Sequence, residues 1–252
     1  MLELEVAANV AVITLCRPPV NAMSAEWVAR FNALLDELQG RTDWSVLHIR
    51  SAQKIFCAGA DLQQLHDNFG ADMQAQLDLG RSFQRLFQRV QDLDAVTLTE
   101  LGGTALGGGL ELALACDLRI ASSRAKFGFP EVTLGLIPGA GGTQRLTWLC
   151  GRAVASRLIL SGETITAAEA HRIGVVQWCV EPAQIAEEAA RTAARIAAFP
   201  RHATAGAKSA IFAAADVGKD AGTDGFARET EVVRSCLESS ATRALVTAFL
   251  AR

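Results

Sequence analysis

Three consecutive glycines open an apolar, Leu/Ala-rich segment that predicts a helix. Glycine costs helix stability, so Gly107, Gly108 and Gly109 call for a reason. The first N–H groups of a helix lack intrahelical acceptors, and the helix dipole favours negative charge there. Because Glu111 follows Gly108 by three residues, one helical turn could place an oxyanion donor beside a carboxylate. The alternative is a loop that lets a buried helix pack tightly, with Glu111 merely exposed.

The same glycines do not match a nucleotide-binding motif. Gly102 and Gly107 have the spacing of the two glycines of a phosphate-binding loop. Gly108 and Gly109 then stand where that loop requires Lys followed by Ser or Thr. A dinucleotide-binding fingerprint fails as well, because the glycine spacing is wrong and no acidic residue ends a following strand at the expected distance.

A second run of small residues lies at positions 56–62, F-C-A-G-A-D-L. Small side chains there would leave the backbone N–H groups of Ala58, Gly59, Ala60 and Asp61 accessible to a ligand. The alternative is an ordinary glycine turn.

A second carboxylate of interest is Glu131, between Pro130 and an apolar V-T-L run. It is either a solvated turn residue or a desolvated carboxylate. A further glycine cluster follows it, with Gly139, Gly141 and Gly142 before a helix predicted to begin near Thr143.

Composition indicates a globular protein with a large core. The chain has 252 residues, of which half are hydrophobic and a fifth are charged. The formal net charge of −3 gives no electrostatic case for a nucleic-acid partner or an anionic membrane. No apolar run is long enough to cross a bilayer.

Cysteine usage favours a reducing compartment. Six cysteines are scattered without a C-x-x-C pair, a pattern more typical of buried thiols than of disulfides or zinc ligands. The chain opens with a strand pattern, M-L-E-L-E-V, and so predicts no signal peptide. We therefore expect a cytoplasmic protein.

Periodicity predicts an α/β fold. Two strands are expected within residues 2–15, then a helix capped by Ser24 with Val28, Phe31, Leu35 and Leu38 on one face. Strands are predicted at 44–50 and 95–101, on either side of helical residues 63–93 with a looser joint at 67–72. His48 is expected to lie on a strand face rather than to act as a catalyst.

From Pro182 the composition shifts to Ala-rich helices, predicted at 182–199, around Lys208, at 226–237 and from 242 onward. Apolar positions such as Phe226, Val233 and Leu237 predict that these helices bury a face against the body of the protein or another subunit.

Four motifs, in this order and spacing, resemble the crotonase superfamily, the enoyl-CoA hydratase/isomerase family. They are N-A-M-S at 21–24, F-C-A-G-A-D-L at 56–62, A-L-G-G-G-L-E-L-A-L-A-C-D-L-R-I-A at 105–121 and F-G-F-P-E-V-T-L-G-L-I-P-G-A-G-G-T-Q-R-L at 127–146. The resemblance extends over nearly the whole chain. It implies a spiral of β-β-α turns at 1–181 and a helical trimerisation region at 182–252. It also implies an acyl-CoA thioester substrate, no separate cofactor, and a homotrimer or dimer of trimers.

The resemblance assigns site residues. An enolate oxygen needs two hydrogen-bond donors, and the family's backbone N–H groups would fall on Ala58 and Gly108. Family hydratases use two glutamates, which would be Glu111, holding the water, and Glu131, chiefly transferring a proton at the α-carbon. The substrate-binding positions implied are Ala22, Ala58, Gly59, Ala60, Asp61 and Gly108.

The presence of both glutamates favours hydration of an enoyl-CoA. The alternatives are double-bond isomerisation or another reaction on an acyl-CoA, and binding of an acyl-CoA or another partner without catalysis. Isomerases of the family usually keep only the second glutamate.

The chain departs from the family pattern in three places. Glu100 stands where a small apolar residue is usual, and a Glu in a core strand is costly unless it is paired or exposed. Gly102 replaces a common Asn, and the C-terminus stops at A-F-L-A-R without the usual basic tail. Lys208 and Arg252 are then the candidates for the coenzyme A phosphates, the alternative being a solvated lysine and a terminal arginine.

Overall fold

The computed structural model describes residues 1–70, 73–216, 233–234, 236–238 and 240–251. Its strands are β1 (Leu2–Ala7), β2 (Asn9–Leu15), β3 (Trp44–Ser51), β4 (Val96–Leu101), β5 (Ala105–Leu106), β6 (Leu118–Ser122), β7 (Lys126–Gly128), β8 (Thr164–Thr166) and β9 (Trp178–Val180). Its helices are α1 (Ala25–Gln39), α2 (Leu62–Asp67), α3 (Met73–Gln91), α4 (Gly108–Ala115), α5 (Gly142–Ser161), α6 (Ala167–Arg172), α7 (Ile185–Ala197), α8 (Arg201–Asp216) and α9 (Ser240–Leu250), with a 3-10 helix at Pro130–Leu134. The predicted positions Phe226 and Arg252 lie outside the described residues.

A six-stranded sheet in the order β1-β2-β3-β4-β6-β9 forms the centre of the fold. The β1–β2 pair is antiparallel and the other neighbours are parallel. A smaller sheet, β5-β7-β8, follows the turn at Gly103. A side chain could not stand there, since a Cβ on Gly103 would lie 2.2 Å from the Lys54 carbonyl oxygen. The chain can therefore leave the main sheet and reach the glycines at the start of α4.

The sequence predicted the first half of this architecture well. Ser24 accepts a hydrogen bond from the Trp27 N–H and caps α1, as predicted. The predicted α1 face is buried, which confirms Val28, Phe31, Leu35 and Leu38 as core residues. The helical stretch after residue 62 is divided into α2 and α3, as the looser joint indicated.

The C-terminal helices bury apolar faces against their own subunit. In α7, Ile185, Ala189 and Ala193 pack on the main sheet against Val46, Leu98 and Ile120. Helix α9 contacts α2 and the 3-10 helix, and its Thr242 hydroxyl donates to the Gly135 carbonyl at 2.7 Å. Val246 and Leu237 are buried. The sequence left open whether these helices pack on the body of the protein or on another subunit. Val246 and Leu237 pack on the body.

The unusual Glu100 is buried and paired. Its Oε2 lies 3.1 Å from the Nε2 of His48 on the neighbouring strand, beneath the face that α7 covers. His48 therefore lies on a strand face, as expected. Among the described residues neither of these two atoms completes a hydrogen bond, so the contact offsets the cost of a carboxylate in a core strand only in part. None of the helices in the described ranges is long and apolar enough to cross a membrane.

Candidate active site

The glycines at the start of α4 let three parts of the chain approach one another. A Cβ on Gly109 would lie 2.4 Å from the Cys57 carbonyl oxygen, and one on Gly107 would lie 2.7 Å from Oε1 of Glu131. Gly107 has a φ of 49° and offers no side-chain cap to the helix. The N-terminus of α4 is thus built from bare backbone, as the triple glycine indicated.

The loop at residues 56–61 lies against this helix start, but not through the donor that the sequence predicted. The Ala58 N–H donates to the Val20 carbonyl at 3.0 Å. It is therefore already bonded, and the prediction of Ala58 as the second oxyanion donor was wrong. The reason is a partner from a distant segment, which local spacing does not reveal.

Ala60 supplies the N–H group that Ala58 does not. Its nitrogen lies 3.6 Å from the position of a Cβ on Gly108, and a Cβ on Gly59 would lie 3.2 Å from the Gly108 nitrogen. Within the described part of the chain, neither the Ala60 nor the Gly108 N–H has a hydrogen-bond acceptor. Two adjacent donors thus meet at the N-terminus of α4.

Arg17 fixes this loop to the preceding segment. Its guanidinium donates to the Ala22 carbonyl at 2.5 Å and to Oδ2 of Asp61 at 2.7 Å, while Oδ1 of Asp61 caps α2. Burial raises the pKa of the Asp61 carboxyl, but the Arg17 hydrogen bond and charge, with helix N–H bonds, bring that pKa below its usual value. Sequence reasoning missed Arg17, which directly follows β2 and gives no local signal of its distant partner.

The Cys57 thiol is a structural group of the loop. Burial raises its pKa to about 12, so the thiol stays protonated at neutral pH. It donates to the Asn21 carbonyl at 3.1 Å. The Asn21 side chain in turn donates to the Phe56 carbonyl and the Ser51 hydroxyl. These bonds hold the loop without using the Ala60 N–H.

Glu111 is buried, with 3% of its surface exposed, so the alternative of a merely exposed glutamate was wrong. Its Oε1 accepts hydrogen bonds from the N–H groups of Ala140 and Gly142, each at 2.8 Å. Gly142 is the first residue of α5, and the carboxylate therefore caps that helix at its positive end. A Cβ on Gly142 would lie 2.9 Å from Oε1, which explains why the second glycine cluster is needed.

Glu131 reaches the same helix start from the 3-10 helix. Its Oε1 faces Gly107, and its Oε2 is buried. Gly107 also accepts the N–H of Glu111 at 2.9 Å, so both carboxylates border the first turn of α4. Of the alternatives for Glu131, the structure supports a carboxylate directed inward. Two acids and two backbone donors around one helix start could stabilise an oxyanion and move protons beside it.

Lys208 is not placed to bind phosphate. Its Nζ lies 3.0 Å from Oδ2 of Asp117 and donates to the Ala95 carbonyl at 3.1 Å, and both charged side chains are largely buried. The sequence-based suggestion of a coenzyme A phosphate contact was therefore wrong, because this lysine fastens α8 to the start of β4. The other candidate, Arg252, lies outside the described residues.

Comparisons with known proteins point the same way as the geometry. Residues 5–252 match the family model described as enoyl-CoA hydratase/isomerase. The short-chain-enoyl-CoA hydratase of Clostridium acetobutylicum is 34% identical, with coverage of 98% of this chain and 93% of the relative. A solved enoyl-CoA hydratase/isomerase of Xanthobacter autotrophicus superposes with a TM-score of 0.89 at 28% identity, covering 99% of this chain and 93% of its own. Pseudomonas aeruginosa DspI gives a TM-score of 0.81 at 34% identity, with 99% and 94% covered.

Proposed function

This chain belongs to the enoyl-CoA hydratase/isomerase family, and from that premise we infer that it is an enoyl-CoA hydratase. It adds water across the 2,3 double bond of an enoyl-CoA thioester and yields a 3-hydroxyacyl-CoA. The observation that carries the inference is the approach of two carboxylates to the first turn of α4, the buried Glu111 on that helix and the half-buried Glu131 on the 3-10 helix. A hydration needs groups that handle both the attacking water and the α-carbon proton.

The thioester oxygen is proposed to lie between the N–H groups of Ala60 and Gly108. Addition at C3 moves electrons onto this oxygen, and two donors stabilise the enolate that forms. Both groups sit beside the positive end of α4 and have no acceptor among the described residues. Ala22, Ala58, Gly59 and Asp61 then serve the substrate site by shaping the loop or contacting the thioester.

Glu111 is proposed to hold and activate the water, and Glu131 to deliver the proton at C2. Two N–H bonds fix the Glu111 carboxylate in place and stabilise a negative charge on it, as a base requires. The water oxygen bonds to C3 while a proton reaches C2. Glu111 takes one proton from that water, and Glu131, protonated at the start, gives its proton to C2. Transfer of the proton from Glu111 to Glu131 through the next bound water then restores the pair for another turnover. Only groups of the chain take part, and coenzyme A enters as part of the substrate.

The first test is crotonyl-CoA hydration, followed by the absorbance of the conjugated thioester. We expect the absorbance to fall with the appearance of 3-hydroxybutyryl-CoA. A protein that leaves crotonyl-CoA unchanged but converts a 3-enoyl-CoA into the conjugated isomer would be an isomerase. One that binds these thioesters without turnover would be a binding protein, and either result would overturn the hydratase assignment.

We further propose a spiral of β-β-α turns over residues 1–181, with a helical region at 182–252 that joins subunits into a trimer or a dimer of trimers, in the cytoplasm. Since α7 covers its own sheet, the joining surface is to be sought beyond it. Large apolar side chains stay exposed there and on α5, including Ile211 at 69% and Leu160 at 73%. Six free cysteines, two of them buried and four half-buried, suit a reducing compartment.

Light scattering on the intact chain should therefore give the mass of three or six subunits, since exposed apolar faces of this extent need a partner. A monomer would contradict the assembly proposal. Removing the chain from Gly225 onward, a position outside the described residues, should give aggregates or inactive monomers. The reason is that loss of α9 uncovers the 3-10 helix that carries Glu131. A truncated chain that stays oligomeric and active would refute this second expectation.

A further inference from the structure

The buried side chain of Arg145 is hydrogen-bonded to the loop whose N–H groups bind the Glu111 carboxylate. Arg145, in the first turn of α5, has 3% of its surface exposed, and its Nη1 donates to the Ala140 carbonyl at 3.0 Å. The N–H of the same Ala140 donates to Glu111. The guanidinium is therefore connected to the carboxylate through one residue of the glycine-rich loop at 139–142.

Glutamine side chains of helix α3 form hydrogen bonds with both Arg145 and the loop. The Oε1 atoms of Gln91 and Gln88 accept from Nε and Nη2 of Arg145 at 2.8 and 3.2 Å. The Nε2 of Gln84 donates to the Gly139 carbonyl at 3.1 Å. Positions 84, 88 and 91 share one helical face, so a single row of amides carries these bonds. The Gln88 amide is itself oriented by its bond to Asp92.

The row of glutamine amides on α3 lies beside a row of apolar side chains on the same helix. The same helix buries Phe83, Leu86, Phe87 and Val90 in the core. Gln84 is buried, whereas Gln88 and Gln91 are half-buried. Both of these half-buried amides nevertheless direct a carbonyl oxygen to the same buried guanidinium. Their bonds converge on the loop that presents N–H groups to Glu111.

We propose that Arg145, Gln88 and Gln91 are positioning residues that fix the Glu111 carboxylate for catalysis. In this proposal they act on Glu111 through the Ala140 peptide. The inference rests on the proposed hydratase function, which makes Glu111 a catalytic group. It adds that side chains of helix α3 help to set the geometry of that group through Arg145 and the loop.

The test is the double substitution Gln88→Met and Gln91→Met, which removes the two glutamine acceptors that α3 offers Arg145 at nearly constant volume. We expect kcat for crotonyl-CoA to fall about 10–100-fold with KM changed less than about threefold, because a displaced base costs rate rather than binding. Weaker support of the ionised carboxylate should also move the acidic limb of the kcat profile to higher pH, by about one unit. Arg145→Lys, which can keep the bond to Ala140, should lose less than Arg145→Met.

The matched control is Arg89→Met on the same helix. Arg89 ties α3 to Asn32 and Asp36 of α1 instead of to the loop, so its loss should leave kcat and the pH profile unchanged. A second control uses Glu111→Gln. If the amides act through Glu111, adding both Gln→Met changes to that variant should lower its residual rate little further. An undiminished effect there, or normal kcat in the Gln→Met variant, would overturn the proposal.

One measurement separates this proposal from the proposed reaction. Carboxyl carbon-13 NMR of glutamate-labelled protein follows the titration of Glu111 without any substrate, with Glu111→Gln as the assignment. A higher Glu111 pKa in the Gln→Met variant than in the native protein supports the positioning role even if crotonyl-CoA proves not to be a substrate. Identical titration in the two proteins would refute it even in an active hydratase.

Discussion

Replacing Glu111 or Glu131 by glutamine is expected to lower kcat for crotonyl-CoA by about 10²–10⁴-fold each, with KM nearly unchanged. Each carboxylate is proposed to act on a proton that moves only in the transition state, so its loss costs rate rather than binding. Stopped-flow or steady-state absorbance at saturating substrate measures the effect.

Glutamine is the right substitution because it keeps the fold. In Glu111→Gln, the amide oxygen of the new side chain could still accept both N–H bonds from Ala140 and Gly142, so the cap of α5 would remain. The double variant should be little worse than the poorer single one, since the two acids serve one water. Glu100→Gln is the matched control, because Glu100 is a buried carboxylate paired with His48 away from this helix start. Near-normal hydration by either single variant would refute the two-acid mechanism.

Local sequence pattern predicted the elements because each carries its own signal. Ser24 caps α1, the apolar face of α1 is periodic, and the triple glycine begins α4. These features depend on residues within a few positions of one another, so spacing alone indicates them. Local spacing placed only Glu111 near a helix start, and the family resemblance alone joined positions 111 and 131 in one site.

Contacts between distant segments were beyond such reasoning. Within the A-G-A step, the N–H of Ala58 donates to the Val20 carbonyl of another loop, whereas that of Ala60 has no acceptor in the part of the chain that the structure describes. In the sequence Lys208 likewise resembles a surface lysine, and the structure shows the Asp117 carboxylate beside it. Arg17 and Arg145 gave no local signal, since an isolated arginine does not reveal which carbonyl or carboxylate it will meet.

Substitutions at two neighbouring glycines can distinguish a loss of catalysis from a loss of packing. Gly108→Val is expected to lower turnover by at least about 10²–10³-fold and to weaken acyl-CoA binding, while the oligomer stays folded. A Cβ at position 108 would stand 3.6 Å from the Ala60 nitrogen, in the space proposed for the thioester oxygen. Its closest contact, at 2.3 Å, is the terminal methyl of Met23, a flexible side chain that can move aside.

Gly109 is the contrasting neighbour. A Cβ there would lie 2.4 Å from the Cys57 carbonyl, which is backbone and cannot yield cheaply, so Gly109→Ala should lose stability rather than activity alone. Circular dichroism melting and crotonyl-CoA kinetics on both variants measure the two effects. Adding Met23→Ala to Gly108→Val should relieve the steric contact without restoring turnover, because the obstructed donors remain obstructed. If Gly108→Val is unfolded even when Met23→Ala is added, these glycines serve packing rather than catalysis. Normal substrate binding and turnover would place the oxyanion site elsewhere in the chain.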